Sequence, residues 1–271
     1  MPSPLFRGMV MLQKYPLPLL LPAVVIAAAH MGINHALVGT VSSKFGHFLM
    51  TVVVLLVNFF LTCLFFLCVA NYAVRIESNN ERPEVRNVLE SLGYPGCGKL
   101  IAGLLTRFAL ALVAGGLSLV VLSFVFRVLK ATHHPVHRSV SGQAYLWVAI
   151  VVSVGILYRW VLAIPLFVQS KGLLKWPFEA SVKAIRGRSS FVVAFTLLVE
   201  TLSYPLIRLT SPLHPHLSDG ATRYVPQLLE IIAAHGFNAV LWTWWVLVIT
   251  MLAMQLQGTD EPLEILPLAP A

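Results

Sequence analysis

Apolar residues fall in long runs separated by short polar segments. The runs cover about 17–41, 48–74, 100–129, 143–168, 191–209 and 229–254. A helix needs about 20 apolar residues to cross a hydrocarbon core about 30 Å thick. None of the runs alternates with period two, so helices rather than barrel strands are expected, and a helix satisfies its own backbone groups in lipid. The pattern predicts an all-α polytopic membrane bundle of six transmembrane helices. It forms one domain over 1–256, followed by an acidic cytoplasmic tail, 257–271, with Asp260, Glu261 and Glu264.

Details of the runs refine this picture. Pro16, Pro18 and Pro22 crowd the start of the first run, where proline costs a helix least. Ala27-Ala28-Ala29 offers a small-residue cleavage site, yet the run continues to Val41, longer than a secretory signal core, so a retained span is expected. The last run has two readings. Leu228–Met254 is one long tilted helix, or Pro226–Gly236 is a short helix ahead of a span that starts at Phe237. In the second case Trp242, Trp244 and Trp245 lie nearer the outer interface, where tryptophan is enriched. The third run carries small residues at Ala111, Ala114, Gly115 and Ser118, a spacing that lets helix backbones approach closely in lipid.

Two polar segments carry a helical period of their own. In Pro83–Gly93, Val85, Val88, Leu89 and Leu92 share one face, with proline at the first turn and glycine past the last. Gln169–Ser190 repeats the design: Pro177 opens, Phe178, Val182 and Ile185 form the stripe, Gly187 closes, and Glu179 pairs favourably with Lys183 at i,i+4. Both predict short cytoplasmic amphipathic helices, at the membrane surface or against the bundle ends. Runs two and three, and runs four and five, then form two hairpins of the same sense. They suggest a parallel duplication whose groove could serve a transporter or a scaffold.

Composition agrees with membrane residence. Hydrophobic residues make up 58% and charged residues 11% of the 271 positions, against about 25% charged in a soluble domain. The net charge of +8 sits between the runs, so it reads as topology rather than nucleic-acid binding. With the N-terminus inside, the cytoplasmic segments hold eleven cations: Arg7, Lys14, Arg75, Arg82, Arg86, Lys99, Lys171, Lys175, Lys183, Arg186 and Arg188. The outer segments hold six: Lys44, Arg127, Lys130, Arg138, Arg208 and Arg223. The excess places both termini in the cytoplasm of an inner-membrane protein. Cys63, Cys68 and Cys97 imply no disulfide framework.

Several residues are candidates for chemistry. Arg159 and Glu200 each lie about 15 Å from the cytoplasmic end of their runs at 1.5 Å per residue, so they can meet as an intramembrane pair. Such a pair fixes register or marks a substrate or proton path. Arg107 lies nearer the interface and is expected to snorkel. Lys171, Lys175, Lys183, Arg186 and Arg188 can hold anionic lipid headgroups. His133, His134 and His137 have workable local spacing for zinc or copper, though Pro135 interrupts them and no cysteine or carboxylate cluster joins them. A wet, weakly basic loop is the plainer reading. No phosphate loop, nucleophile elbow or His-Glu-x-x-His motif is present, so no enzymatic activity and no cofactor are expected.

The segment Arg159-Trp160-Val161-Leu162-Ala163-Ile164-Pro165, with Gly172 and then Ala180-Ser181 through Arg186-Gly187, resembles a group of six-helix bacterial membrane proteins. These are related to the membrane domain of glycerophosphoryl diester phosphodiesterase and to uncharacterised inner-membrane families. Arg159 and Pro165 match the group's Arg-x5-Pro, and Arg186-Gly187 its basic-Gly step. The glutamate usual after the proline is replaced around Gln169-Ser170, and the arginine before the serine is Ala180. The resemblance implies the fold without catalysis, because the phosphodiesterase domain has no counterpart here. The expected role is a membrane scaffold or lipid- and protein-contacting domain, able to form homo-oligomers. The alternatives are a small transporter using Arg159 and Glu200, and a metal-binding protein using the outer histidines.

Overall fold

A computed structural model describes residues 3–38, 44–79, 89–131, 148, 151, 155, 157–186, 188–210 and 224–257. Among these the regular structure is helical, without strands. The α-helices are α1 (Pro4–Lys14), α2 (Pro16–Val38), α3 (Lys44–Asn79), α4 (Cys97–Ala131), α5 (Ala163–Gln169), α6 (Pro177–Ile185), α7 (Ser189–Thr210) and α8 (Tyr224–Gln257). Short 3-10 turns cover Leu89–Gly93 and Tyr158–Trp160. Three helices are long and apolar enough to cross a membrane, over Leu49–Ser78, Cys97–Val128 and Gly236–Leu256. A fourth is added if α1 and the Pro16–Ala29 part of α2, bent by 92°, count as one span.

The helix α1 is absent from the sequence reading, which treats residues before Leu17 as a flank. Its start follows from local chemistry: the Ser3 hydroxyl accepts from the Phe6 N–H at 3.4 Å, and Pro4 occupies the first turn. It ends at Tyr15, whose φ of −129° and ψ of 55° lie outside the helix, because Pro16 disfavours the α conformation in the residue before it. Beyond that break α1 crosses α8. A Cβ built on Gly8 would lie 3.1 Å from Val248 Cγ2, so glycine permits the close crossing. Trp244 Nε1 donates to the Leu5 carbonyl at 3.4 Å, and Arg7 forms an ion pair with Glu77 of α3.

The last apolar run is one helix. Gly236 stays inside α8, which runs unbroken from Tyr224 to Gln257. This helix is the centre of the bundle and packs on α1, α2, α3, α5 and α7. In an 18-residue apolar stretch of its span 67% of the residues are buried, against 11% in the corresponding stretch of α4. The C-terminal part of α4 turns its large side chains away from the bundle: Leu110, Val113, Leu117, Val120, Val121 and Phe124 are each 61–67% exposed. Ala111 of the small-residue patch is buried, whereas a Cβ on Gly115 would meet nothing within 4 Å.

Burial is concentrated at one end. Most of residues 63–73 of α3, the start of α4 at Cys97, Leu100 and Leu104, the segment 162–168 and most of 245–256 of α8 form the core. With 36, 35 and 34 residues, α3, α4 and α8 are about 50 Å long at 1.5 Å per residue, roughly 20 Å more than a hydrocarbon core. The polar segments dock on these helices, the first at Asn71 and Arg75 of α3 and the second, through Phe178, at Gly103 and Arg107 of α4.

The fourth run differs from one continuous helix where it is described. Tyr158–Trp160 is a 3-10 turn, Val161 and Leu162 form a turn, and α5 follows. Pro165, with no N–H to give, sits in the first turn of α5, and Leu166 N–H bonds the Leu162 carbonyl at 3.0 Å. Of the segment Pro83–Gly93 only 89–93 is described, as a 3-10 turn. The remainder lies outside the described residues.

Candidate functional site

Two of the residues singled out in the sequence, Arg159 and Ser181, meet at the buried end of the bundle. Ser181 is fully buried on α6, and its hydroxyl donates to the Arg159 carbonyl at 2.8 Å. That bond ties α6 to the 3-10 turn in the middle of the fourth run, where helical bonding is interrupted. The end of α5 forms a tight reversal: Gly172 N–H bonds the Phe167 carbonyl at 2.9 Å and Lys171 N–H the Val168 carbonyl at 3.0 Å. This is the Schellman pattern, which needs a left-handed residue at the turn. Lys171 occupies it with φ of 50°, and Gly172 follows with φ of 80°.

Gly172 has a second reason to be glycine. A Cβ there would lie 2.6 Å from the Pro95 carbonyl oxygen and 2.9 Å from Tyr94 Cβ. The two polar segments therefore touch backbone to backbone. The first is held in turn by α3: the Tyr94 hydroxyl donates to Asn71 Oδ1 at 3.1 Å, and Arg75 pairs with Glu90. The Tyr94 and Phe167 ring centroids are 6.4 Å apart. Ser170 donates to the Phe167 carbonyl at 2.9 Å and accepts from Leu174 N–H at 3.2 Å.

Arg159 itself presents an exposed side chain, with Nε 3.4 Å from the hydroxyl of Tyr158. The backbone of Glu200 lies in α7, but its side chain is outside the described residues, as are His133, His134 and His137. Among the described residues no group of three or more metal-binding side chains assembles. Lys171, Lys175, Lys183, Arg186 and Arg188 are all exposed.

Arg107 is half-buried between two rings. Its guanidinium carbon lies 3.7 Å from the Phe178 ring centroid and 5.1 Å from that of Trp160, and Nη1 donates to the Gly103 carbonyl at 3.1 Å. Phe178 belongs to α6, so α6 packs beside residues 103–107, up to about 15 Å along α4 from Cys97. Charge over an aromatic face is attractive in itself.

Beside Arg107 the helices form a half-open cavity of about 290 Å³. It lies between α3 and α4 on one side and the segment 157–164, α7 and α8 on the other. Its walls are mainly aromatic, with Phe59, Phe66, Phe108, Trp160, Trp242 and Trp245 prominent. Phe59 and Phe108 stack in parallel with centroids 3.9 Å apart, and Trp242 meets Trp245 edge-on at 5.4 Å. The sequence gives only a faint signal of this chamber. Tryptophans near 242 read as interface anchors, and nothing local links them to Phe59 or Trp160. Comparison of the chain with protein-family models, with curated proteins and with solved structures finds no match.

Proposed function

We propose that this protein is a six-span scaffold of the cytoplasmic membrane that contacts lipid and partner proteins and has no catalytic activity of its own. In this reading the three long apolar helices are joined by spans from the runs 17–41, 143–168 and 191–209. Both termini face the cytoplasm. Three contacts support a shared side: Arg7 pairs with Glu77, Arg75 pairs with Glu90, and α1 crosses the C-terminal part of α8. These contacts bring α1, the segment after α3 and the last turns of α8 towards one end, which in this reading is the cytoplasmic one, where the excess of cations falls. The resemblance to six-helix inner-membrane proteins agrees with this topology.

The observation that carries the scaffold reading is the Ser181–Arg159 bond together with the Gly172–Pro95 contact. The residues that look most like a motif lock the polar segments to the spans. The five exposed cations from Lys171 to Arg188 then face the surface, each able to add about 1 kcal/mol of attraction to anionic lipid. The test replaces Arg159 by Met and Glu200 by Leu together in reconstituted, folded protein. A scaffold keeps its yield, its stability and its lipid and partner contacts. Loss of a solute flux in a protein that remains folded would instead make it a transporter.

A further inference from the structure

We infer that the aromatic cavity binds the hydrocarbon chain of an acidic amphiphile whose head rests on Arg107. The inference deepens the lipid-contacting reading above and rests on the chain residing in a membrane. Size comes first. The volume of about 290 Å³ is roughly twice that of an engineered apolar cavity of about 150 Å³ that stays dry and binds benzene. It reaches the lower end of ligand pockets, about 300 Å³. Chemistry follows. The Thr62 hydroxyl donates to the Asn58 carbonyl at 2.9 Å, and the Thr196 hydroxyl accepts from Trp245 Nε1 at 3.2 Å. The two threonine hydroxyls in the wall are thus engaged within the protein, and an apolar occupant does not strand them.

Arg107 selects the head. Leu104 and Phe108, flanking it on α4, both line the cavity, and Trp160 lines it while facing the guanidinium at 5.1 Å. Arg107 therefore stands at the rim. A guanidinium carries five N–H donors, and the bond to Gly103 employs Nη1. Among the described residues Arg107 enters no ion pair. A cation among aromatic and aliphatic groups favours an anion beside it, because desolvation without a partner is costly. Arg107 also lies in the part of α4 that packs against the polar segment α6, where a headgroup would be found. A carboxylate or phosphate on a long acyl chain satisfies both halves. The source is a free fatty acid or one chain of an anionic phospholipid.

The experiment reads quenching of intrinsic tryptophan fluorescence in neutral detergent, since Trp160, Trp242 and Trp245 line the cavity. Three probes are titrated: dibrominated stearate, phosphatidylglycerol with a dibrominated chain, and phosphatidylcholine with the same chain. Saturable quenching is expected for the acidic probes, at about tenfold lower mole fraction than for phosphatidylcholine, the scale of a charge-assisted hydrogen bond. The tighter of the two acidic probes names the source. Arg107→Gln is expected to remove that discrimination. Val161→Phe, which fills the cavity, is expected to abolish saturation, while Leu117→Phe on the exposed outer face leaves it unchanged. Linear quenching that is equal for all three heads overturns the proposal, and so does saturation that survives Val161→Phe. Should Val161→Phe fail to fold, the comparison of heads on the unaltered protein decides alone. Loss of the site with the topology intact would leave the scaffold reading standing.

Discussion

Replacing Gly172 by alanine tests the joint between the two polar segments. Gly172 has φ of 80°, a left-handed conformation that costs an L-residue about 1–2 kcal/mol. The added methyl would also lie 2.6 Å from the Pro95 carbonyl oxygen and 2.9 Å from Tyr94 Cβ, and the nearest atom is backbone that cannot rotate away. Forcing such a contact costs about 1–3 kcal/mol more. The expected loss is therefore about 2–5 kcal/mol, or about 4–20 °C in melting temperature at ~2–4 °C per kcal/mol. The assay is thermal unfolding in detergent, read by fluorescence-detected size exclusion. Gly116→Ala supplies the contrast. A Cβ there meets nothing within 4 Å and the backbone is helical, so the change should be neutral or stabilise by about 0.5–1 kcal/mol. If Gly172→Ala melts with the parent while Gly116→Ala behaves as expected, the two segments do not meet at Gly172 and the reasoning fails.

Other perturbations have smaller, signed outcomes. Ser181→Ala removes the donor to the Arg159 carbonyl from a fully buried site, and a melt lowered by about 1–3 kcal/mol is expected, with Ser181→Thr recovering part of it. Tyr72→Phe should be neutral or stabilising, because the Tyr72 hydroxyl is buried without a hydrogen-bond partner among the described residues. A loss above about 1 kcal/mol in the same melt would reveal one. A double-mutant cycle on Arg7→Gln and Glu77→Gln should give a coupling of about 0.2–1 kcal/mol, since both side chains are partly exposed, and the coupling should shrink at high salt.

What was legible in the sequence is what lipid dictates locally. The apolar runs at 48–74, 100–129 and 229–254 lie inside α3, α4 and α8, because a helix is the simplest way for such a run to satisfy its backbone in hydrocarbon. Pro177 opens α6 as its sequence suggests, because proline is tolerated in the first turn of a helix. What was not legible depends on contacts distant in sequence. Nothing around Pro4–Lys14 says that Gly8 lets a helix lie against Val248. The periodicity of α6 shows an apolar stripe but not that Phe178 would cover Arg107. Gly172 stood out through the resemblance, yet its need for a positive φ and its contact with Pro95 belong to the folded chain. The cavity is the extreme case, since five separate stretches of sequence build its wall.

The central claim is that both termini and both polar segments share the cytoplasmic face. It is tested most directly by labelling single cysteines with a membrane-impermeant maleimide in intact cells, with Cys63, Cys68 and Cys97 replaced by alanine. Met9, Leu89 and Trp176 are exposed positions on the claimed inner side, and His134 and Ser218 lie in the claimed outer segments. Cysteines at His134 and Ser218 should label in intact cells, whereas those at Met9, Leu89 and Trp176 should label only after the membrane is opened. Labelling of Met9 and Trp176 from opposite faces would contradict the account.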